Sequence, residues 1–227
     1  DYSRPLPLVV SLHGYSGNGW SNAAYMHHFD SIHENEHLLL YPDGTINLVG
    51  MRYWNATDGC CQFSGDVDDA SYLLSLINEA IQNYGADPDG IVITGLSNGG
   101  FMSYVLACQL SNRIAGIASV TGSMTNQTFN ECDAKHPTPV MQIHGARDNT
   151  VPYEGNNNMK SIDDVMEFWV NYNGCNVIPT ETVIEDNDSD GLGGTLSRYQ
   201  GCLNDVSVEL YYLDGLRHQW PVITVDD

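Results

Sequence analysis

The chain has 227 residues, 42% hydrophobic and 16% charged, with 22 Gly and 9 Pro spread along it. That is the composition of one globular domain spanning 1–227, and it excludes disordered, collagenous and coiled-coil chains. Eight Lys and Arg against 29 Asp and Glu give a formal charge of −21. This excludes nucleic acid and anionic membrane as partners, since phosphates must be met by cations, and leaves a neutral or weakly charged ligand.

Taken in order, a buried-strand pattern at Leu8 to Leu12 is followed by a second at Leu38 to Tyr41. From Asp69 to Tyr84, the residues Ala70, Leu73, Leu74, Ile77, Ala80 and Ile81 recur at helical spacing. A strand at Ile91 to Thr94, a helix at Asn98 to Leu110, strands at Ile114 to Val120 and Val140 to His144, and a helix at Ser161 to Tyr172 come next. Between Val177 and Tyr199, EDNDSDGLGG interrupts two strand-like pieces and is expected to form an exposed excursion from the sheet, before a last strand at Val206 to Leu213. Strands alternating with helices, with continuous apolar runs such as IVITG, predict an α/β fold with a mostly parallel sheet covered by helices on both faces. No apolar run approaches the roughly 20 residues of a membrane span, so a soluble chain is expected.

The six cysteines, at 60, 61, 108, 132, 175 and 202, favour disulfides and a secreted or periplasmic location. Cys175 and Cys202 flank one acidic excursion and are paired first. The adjacent Cys60 and Cys61 are each expected to reach Cys108 or Cys132 rather than one another. The absence of a signal peptide at Asp1 fits a mature chain or a cytosolic one. Three tripeptides, starting at Asn55, Asn126 and Asn187, could accept glycans. Asp186, Asp188 and Asp190 before Gly191 resemble the start of a calcium loop, but position twelve is Ser197 instead of Glu, so a solvated loop is expected and no metal site is assigned.

The strand IVIT runs into Gly95-Leu96-Ser97-Asn98-Gly99-Gly100 and then into the helical FMSYVLACQL. G-x-S-x-G between a strand and a helix places a serine on a sharp turn, where glycines on either side let the two backbones pass. Ser97 is therefore the candidate nucleophile, against the alternative of a structural Gly-rich turn. A serine hydroxyl needs a base and a group to orient it, and in this architecture the acid and then the histidine follow in the chain. Three histidines follow Ser97. His136 lies in a polar connection and His144 ends a strand, where a satisfied structural role is expected. His218, in a loop just past the last strand, is the candidate base. Asp148, four residues beyond a strand end, is the candidate acid; its rivals Asp163, Asp164 and Asp205 fall in a helix or a solvent-facing turn. Donors for the oxyanion are expected from the backbone N–H groups of Tyr15, in the loop His13-Gly14-Tyr15-Ser16-Gly17-Asn18, and of Asn98. The side chain of His13 is expected to brace that loop. Trp54, Trp220 and Tyr15 either line an acyl or aryl pocket or fill core.

In this order, HGYSGN, YWNATDGCC, DVDDASYLLSLI, GLSNGGFMSYVLAC, HGARDNTVPY and GLRHQWP cover most of the chain. The set resembles the secreted polyhydroxybutyrate depolymerase and feruloyl or acetylxylan esterase group of α/β-hydrolases. The resemblance implies Ser97 as nucleophile, Asp148 as acid, His218 as base, and Tyr15 with Asn98 as oxyanion hole, in agreement with the spacing. It also implies a further strand pair before PLVVSLHG and a closing helix after the His-x-Trp-Pro segment, and this chain begins and stops close to both.

The chemistry implied is two-step acyl transfer without a cofactor, acting on an ester of a hydroxycinnamic or short acid, carried on plant polysaccharide or in a polyester. A base that must be neutral gives activity rising through about pH 6 to 7, the range of an ordinary histidine. A serine peptidase of this fold would usually add a propeller or cap domain, for which 227 residues leave no room. A non-catalytic binding module is the reading from another class, and the full set of serine, acid, base and Gly-rich loop stands against it.

Overall fold

A computed structural model describes residues 4–24, 36–56, 61, 67–186 and 191–221. Strand β1 (Leu6–Leu12) pairs in parallel with β2 (Leu38–Leu40) on one side and β5 (Ala86–Leu96) on the other. Beyond β5 the parallel run continues through β6 (Gly116–Val120), β7 (Val140–Gly145) and β10 (Val208–Leu213). Two antiparallel strands complete the eight-stranded sheet, in the order β2-β1-β5-β6-β7-β10-β9-β8.

Those last two are β8 (Thr180–Ile184) and β9 (Gly194–Tyr199), the two strand-like pieces on either side of the acidic, Gly-rich connection, and they form this edge of the sheet. Strand β9 pairs along all six residues of β10, satisfying backbone groups that an unpaired edge would leave open. A separate small hairpin of β3 (Thr45–Ile46) and β4 (Arg52–Tyr53) has strands too short to leave any periodicity in the sequence.

Helix α1 (Asp69–Tyr84) starts where the Asp68 side chain accepts the Ser71 N–H, and stops at Gly85 in the left-handed conformation. Helix α2 (Asn98–Gln109) follows β5 directly, a short α3 (Asn126–Glu131) follows β6, and α4 (Ile162–Tyr172) is capped by Ser161. The core joins Leu8, Val10 and Leu12 of β1 and Ile91 and Ile93 of β5 to Leu73 and Ile77 of α1, Leu106 of α2 and Trp169 of α4. Burying each such side chain contributes about 1.5–3 kcal/mol.

Cys175 and Cys202 are bonded as expected, tying the end of α4 to the segment before β10. The other expectation is corrected: Cys108 at the end of α2 bonds Cys132 just past α3, so neither is available to Cys60 or Cys61. These two bonds link residues 24 and 27 apart in the chain. Of the acidic string, residues 187–190 lie outside the described residues, as does the Asn187 tripeptide. Asp186 accepts the Gly191 N–H, and among the described residues no group of three His, Cys, Asp or Glu could hold a metal ion.

Candidate active site

Because β1, β5, β7 and β10 are parallel, their carboxyl ends lie along one edge of the sheet, and the four segments that carry the candidate residues all leave from there. Ser97 follows β5 with φ 55° and ψ −118°, a conformation that side chains rarely adopt and that the surrounding structure must hold. The glycines show how. A Cβ on Gly95 would lie 2.4 Å from the Gly99 carbonyl, and one on Gly99 would lie 2.3 Å from the Leu12 carbonyl oxygen. Strand β5, helix α2 and strand β1 thus touch backbone to backbone under the serine, whose own N–H donates to the Val120 carbonyl at 2.9 Å.

Asp148 and His218 arrive on neighbouring loops that are zipped together. Ala146 N–H donates to the Leu213 carbonyl, Arg147 N–H donates to that of Leu216, and Gly145 packs so closely on Leu216 that a Cβ would meet its carbonyl at 2.0 Å. Asp148, 5% exposed, accepts the N–H groups of Thr150 and Val151 on Oδ1, each at 2.9 Å. Its Oδ2 accepts His218 Nδ1–H at 2.8 Å, and His218 Nε2 lies 2.7 Å from Ser97 Oγ. Burial opposes charge on Asp148, but the bond from His218 and the amides of Val151 and Thr150 outweigh it, and the carboxyl is held below its usual range. An ionised carboxylate only accepts, so Nδ1 carries the imidazole proton and Nε2 is left to accept the Ser97 hydroxyl proton. The three residues assigned from chain order are therefore brought into one hydrogen-bonded line.

Beside this line, Gly14 packs on the serine, where its Cβ would lie 3.5 Å from that of Ser97. The next residue is Tyr15. His13 braces this loop: its Nδ1–H donates to the Gly14 carbonyl at 2.8 Å, and its Nε2 accepts the Gly44 N–H at 3.0 Å. Ser16 N–H donates to the Arg52 carbonyl, and Asn47 Nδ2 donates to the Tyr15 hydroxyl at 3.2 Å, so the β3–β4 hairpin holds the loop from the other side. Asn98 opens α2, where its amide has no acceptor within the helix.

Trp54 is corrected. It is wholly buried, with no face open to a ligand: its Nε1 donates to the His13 carbonyl, and its backbone N–H and carbonyl both bond the side chain of Asn98, at 2.6 and 3.0 Å. Trp54 thus braces both ends of the candidate oxyanion site. Trp220 is half-buried two residues past His218, and Tyr15 is 37% exposed. The side chain of Asn98 was missed by sequence reasoning, which used only its amide; nothing in GLSNGG signals a partner 44 residues away.

Residues 3–171 match the model of the phospholipase/carboxylesterase family. The chain belongs to this family. Feruloyl esterase B of Piromyces equi is 24% identical over 228 residues, which cover 95% of this chain and 40% of that one. Poly(3-hydroxyalkanoate) depolymerase C of Paucimonas lemoignei is 26% identical over 249 residues, covering 95% and 55%. The chain thus spans about half or less of the length of these relatives. Among solved structures, an acetyl xylan esterase from Aspergillus awamori shares the fold with a TM-score of 0.69 at 15% identity, covering 96% of this chain and 85% of that one. The mostly parallel eight-stranded sheet with its helices is that of an α/β-hydrolase.

Proposed function

We propose that the protein is a serine carboxylic-ester hydrolase in which Ser97 is the nucleophile, His218 the general base and acid, and Asp148 the group that orients the imidazole and stabilises the imidazolium formed when it takes a proton. The observation that carries this reading is the line Ser97–His218–Asp148, with contacts of 2.7 and 2.8 Å, at a strained strand-to-helix turn. Ser97 Oγ attacks the ester carbonyl as His218 Nε2 takes its proton. The backbone N–H groups of Tyr15 and Asn98 receive the developing oxyanion. Collapse expels the alcohol, which takes the proton from His218, and leaves an acyl-Ser97. Water, deprotonated by the same Nε2, then releases the acid and restores the serine.

The substrate proposed is an uncharged ester of a hydroxycinnamic or short acid, on plant polysaccharide or in a polyester. Two things support it: the names of the relatives, and the apolar rim beside the Tyr15 loop, where the β3–β4 turn exposes Leu48 and Val49 at 80% and 63%. Secretion is the location proposed, from the two disulfides. No helix among the described residues is long and apolar enough to cross a membrane.

With p-nitrophenyl acetate, rapid-mixing absorbance is expected to show a burst of p-nitrophenol stoichiometric with protein, then a slower steady rate set by deacylation. Release no faster than that of a heat-inactivated sample would overturn the reading. Comparing methyl ferulate, acetylated xylan and a hydroxybutyrate oligomer then ranks the acyl groups.

A further inference from the structure

Behind Asp148 lies a run of polar side chains that takes no part in the chemistry proposed above. Tyr104 of α2 and Gln142 and His144 of β7 are each 0% exposed. Tyr104 Oη donates to Gln142 Oε1 at 2.7 Å. Gln142 Nε2, which carries only hydrogens, donates to the Gly122 carbonyl at 3.0 Å and to His144 Nδ1 at 2.9 Å. His144 Nδ1 is therefore an acceptor, and the single proton of the neutral ring sits on Nε2. That proton is donated to the Val151 carbonyl at 2.9 Å. Burial pushes the His144 pKa down and keeps the ring in this neutral form.

Each bond in the run has its direction forced by its neighbour, and the last one ends on the residue that holds the acid. Val151 is anchored through its carbonyl by His144 and gives its N–H to Asp148 Oδ1, which leaves Oδ2 turned toward His218. His144 Nε2 itself stands 3.8 Å from Asp148 Oδ2, too far for a hydrogen bond. Its reach to the carboxylate is through Val151.

We infer that His144 is a positioning residue which, by anchoring Val151, sets the orientation of the Asp148 carboxylate toward His218. This rests on Asp148 being the acid of the proposed reaction. A buried, satisfied network also stabilises the fold, so the test must separate aim from stability.

His144→Leu in the full chain, assayed with p-nitrophenyl acetate, is expected to lower kcat by about 10- to 100-fold with KM within about twofold, the scale of a misplaced catalytic group. In an Asp148→Asn background the same substitution is expected to cost less than about twofold, because the group through which it acts has already been disabled. A purely structural role reduces both backgrounds equally, and equal losses would overturn the inference. His144→Gln, which keeps a donor for the Val151 carbonyl, is expected to hold kcat within about fivefold, while His144→Asn, which keeps only an acceptor for Gln142, falls as far as Leu. This pair decides the matter if the Leu variant does not fold, and Asn as active as Gln would overturn it. Loss of activity in Asp148→Asn with none in any His144 variant removes this inference alone. An Asp148→Asn variant as active as the parent removes the catalytic reading beneath it as well.

Discussion

Ser97→Ala is expected to lower kcat/KM for an activated ester by about 10⁴-fold or more, leaving only the slow attack of water assisted by the oxyanion donors and by substrate binding. The hydroxyl is the sole atom removed, and its one hydrogen bond among the described residues is to His218 Nε2. Ala has no easier access than Ser to a backbone at φ 55°, so the turn is strained equally in both. The thermal midpoint is expected to stay level or rise slightly, since a residue kept for function is commonly not the most stable choice at its position. Scanning calorimetry alongside the steady-state assay separates the two effects. A variant that loses activity only because it has unfolded would show a lowered midpoint.

Gly99→Ala is expected to destabilise the fold strongly. The new Cβ would meet the Leu12 carbonyl oxygen at 2.3 Å, its carbon at 2.7 Å and the His13 carbonyl oxygen at 2.8 Å. These are backbone atoms of the last residue of β1 and of the residue after it, so no rotamer change relieves the clash, and α2 must move away from the sheet. The expected cost is roughly 3 kcal/mol or more by chemical denaturation, or failure to fold. Gly85→Ala is the control: its φ of 76° is unfavourable for Ala, but nothing lies within 4 Å of the added carbon. That change is expected to cost only about 1 kcal/mol. Equal costs at the two positions would mean that backbone contact at Gly99 does not hold the turn.

The parallel strands and the three site residues were legible because their causes are local. Continuous apolar runs mark strands buried on both faces, and G-x-S-x-G marks the one turn where a strand must double back into a helix over its own backbone. Chain order then selected Asp148 and His218 from several carboxylates and three histidines. What stayed hidden depends on residues far apart in the chain. Trp54 sits in a motif that reads equally as pocket wall or core, and only its contacts to His13 and Asn98 put it in the interior. The choice of Cys132 as partner for Cys108 is set by the short α3, which has no buried residue and so no periodicity to reveal it. The β8–β9 edge was obscured by the acidic, Gly-rich connection between its strands, whose composition reads as loop whether or not the flanking strands pair. His144 was read as a satisfied buried histidine, and it is one; that its donor ends on the loop holding Asp148 is visible only in three dimensions.

The proposed reaction requires that Ser97 carry a hydroxyl made nucleophilic by His218. Brief exposure of the folded protein to a fluorophosphonate, followed by digestion and tandem mass spectrometry, tests it without any assumption about the natural substrate. A single phosphonyl adduct on Ser97 is expected, with its rate of formation greatly reduced in His218→Ala. An unlabelled Ser97 in folded protein, or an adduct that forms equally fast without the imidazole, would contradict it.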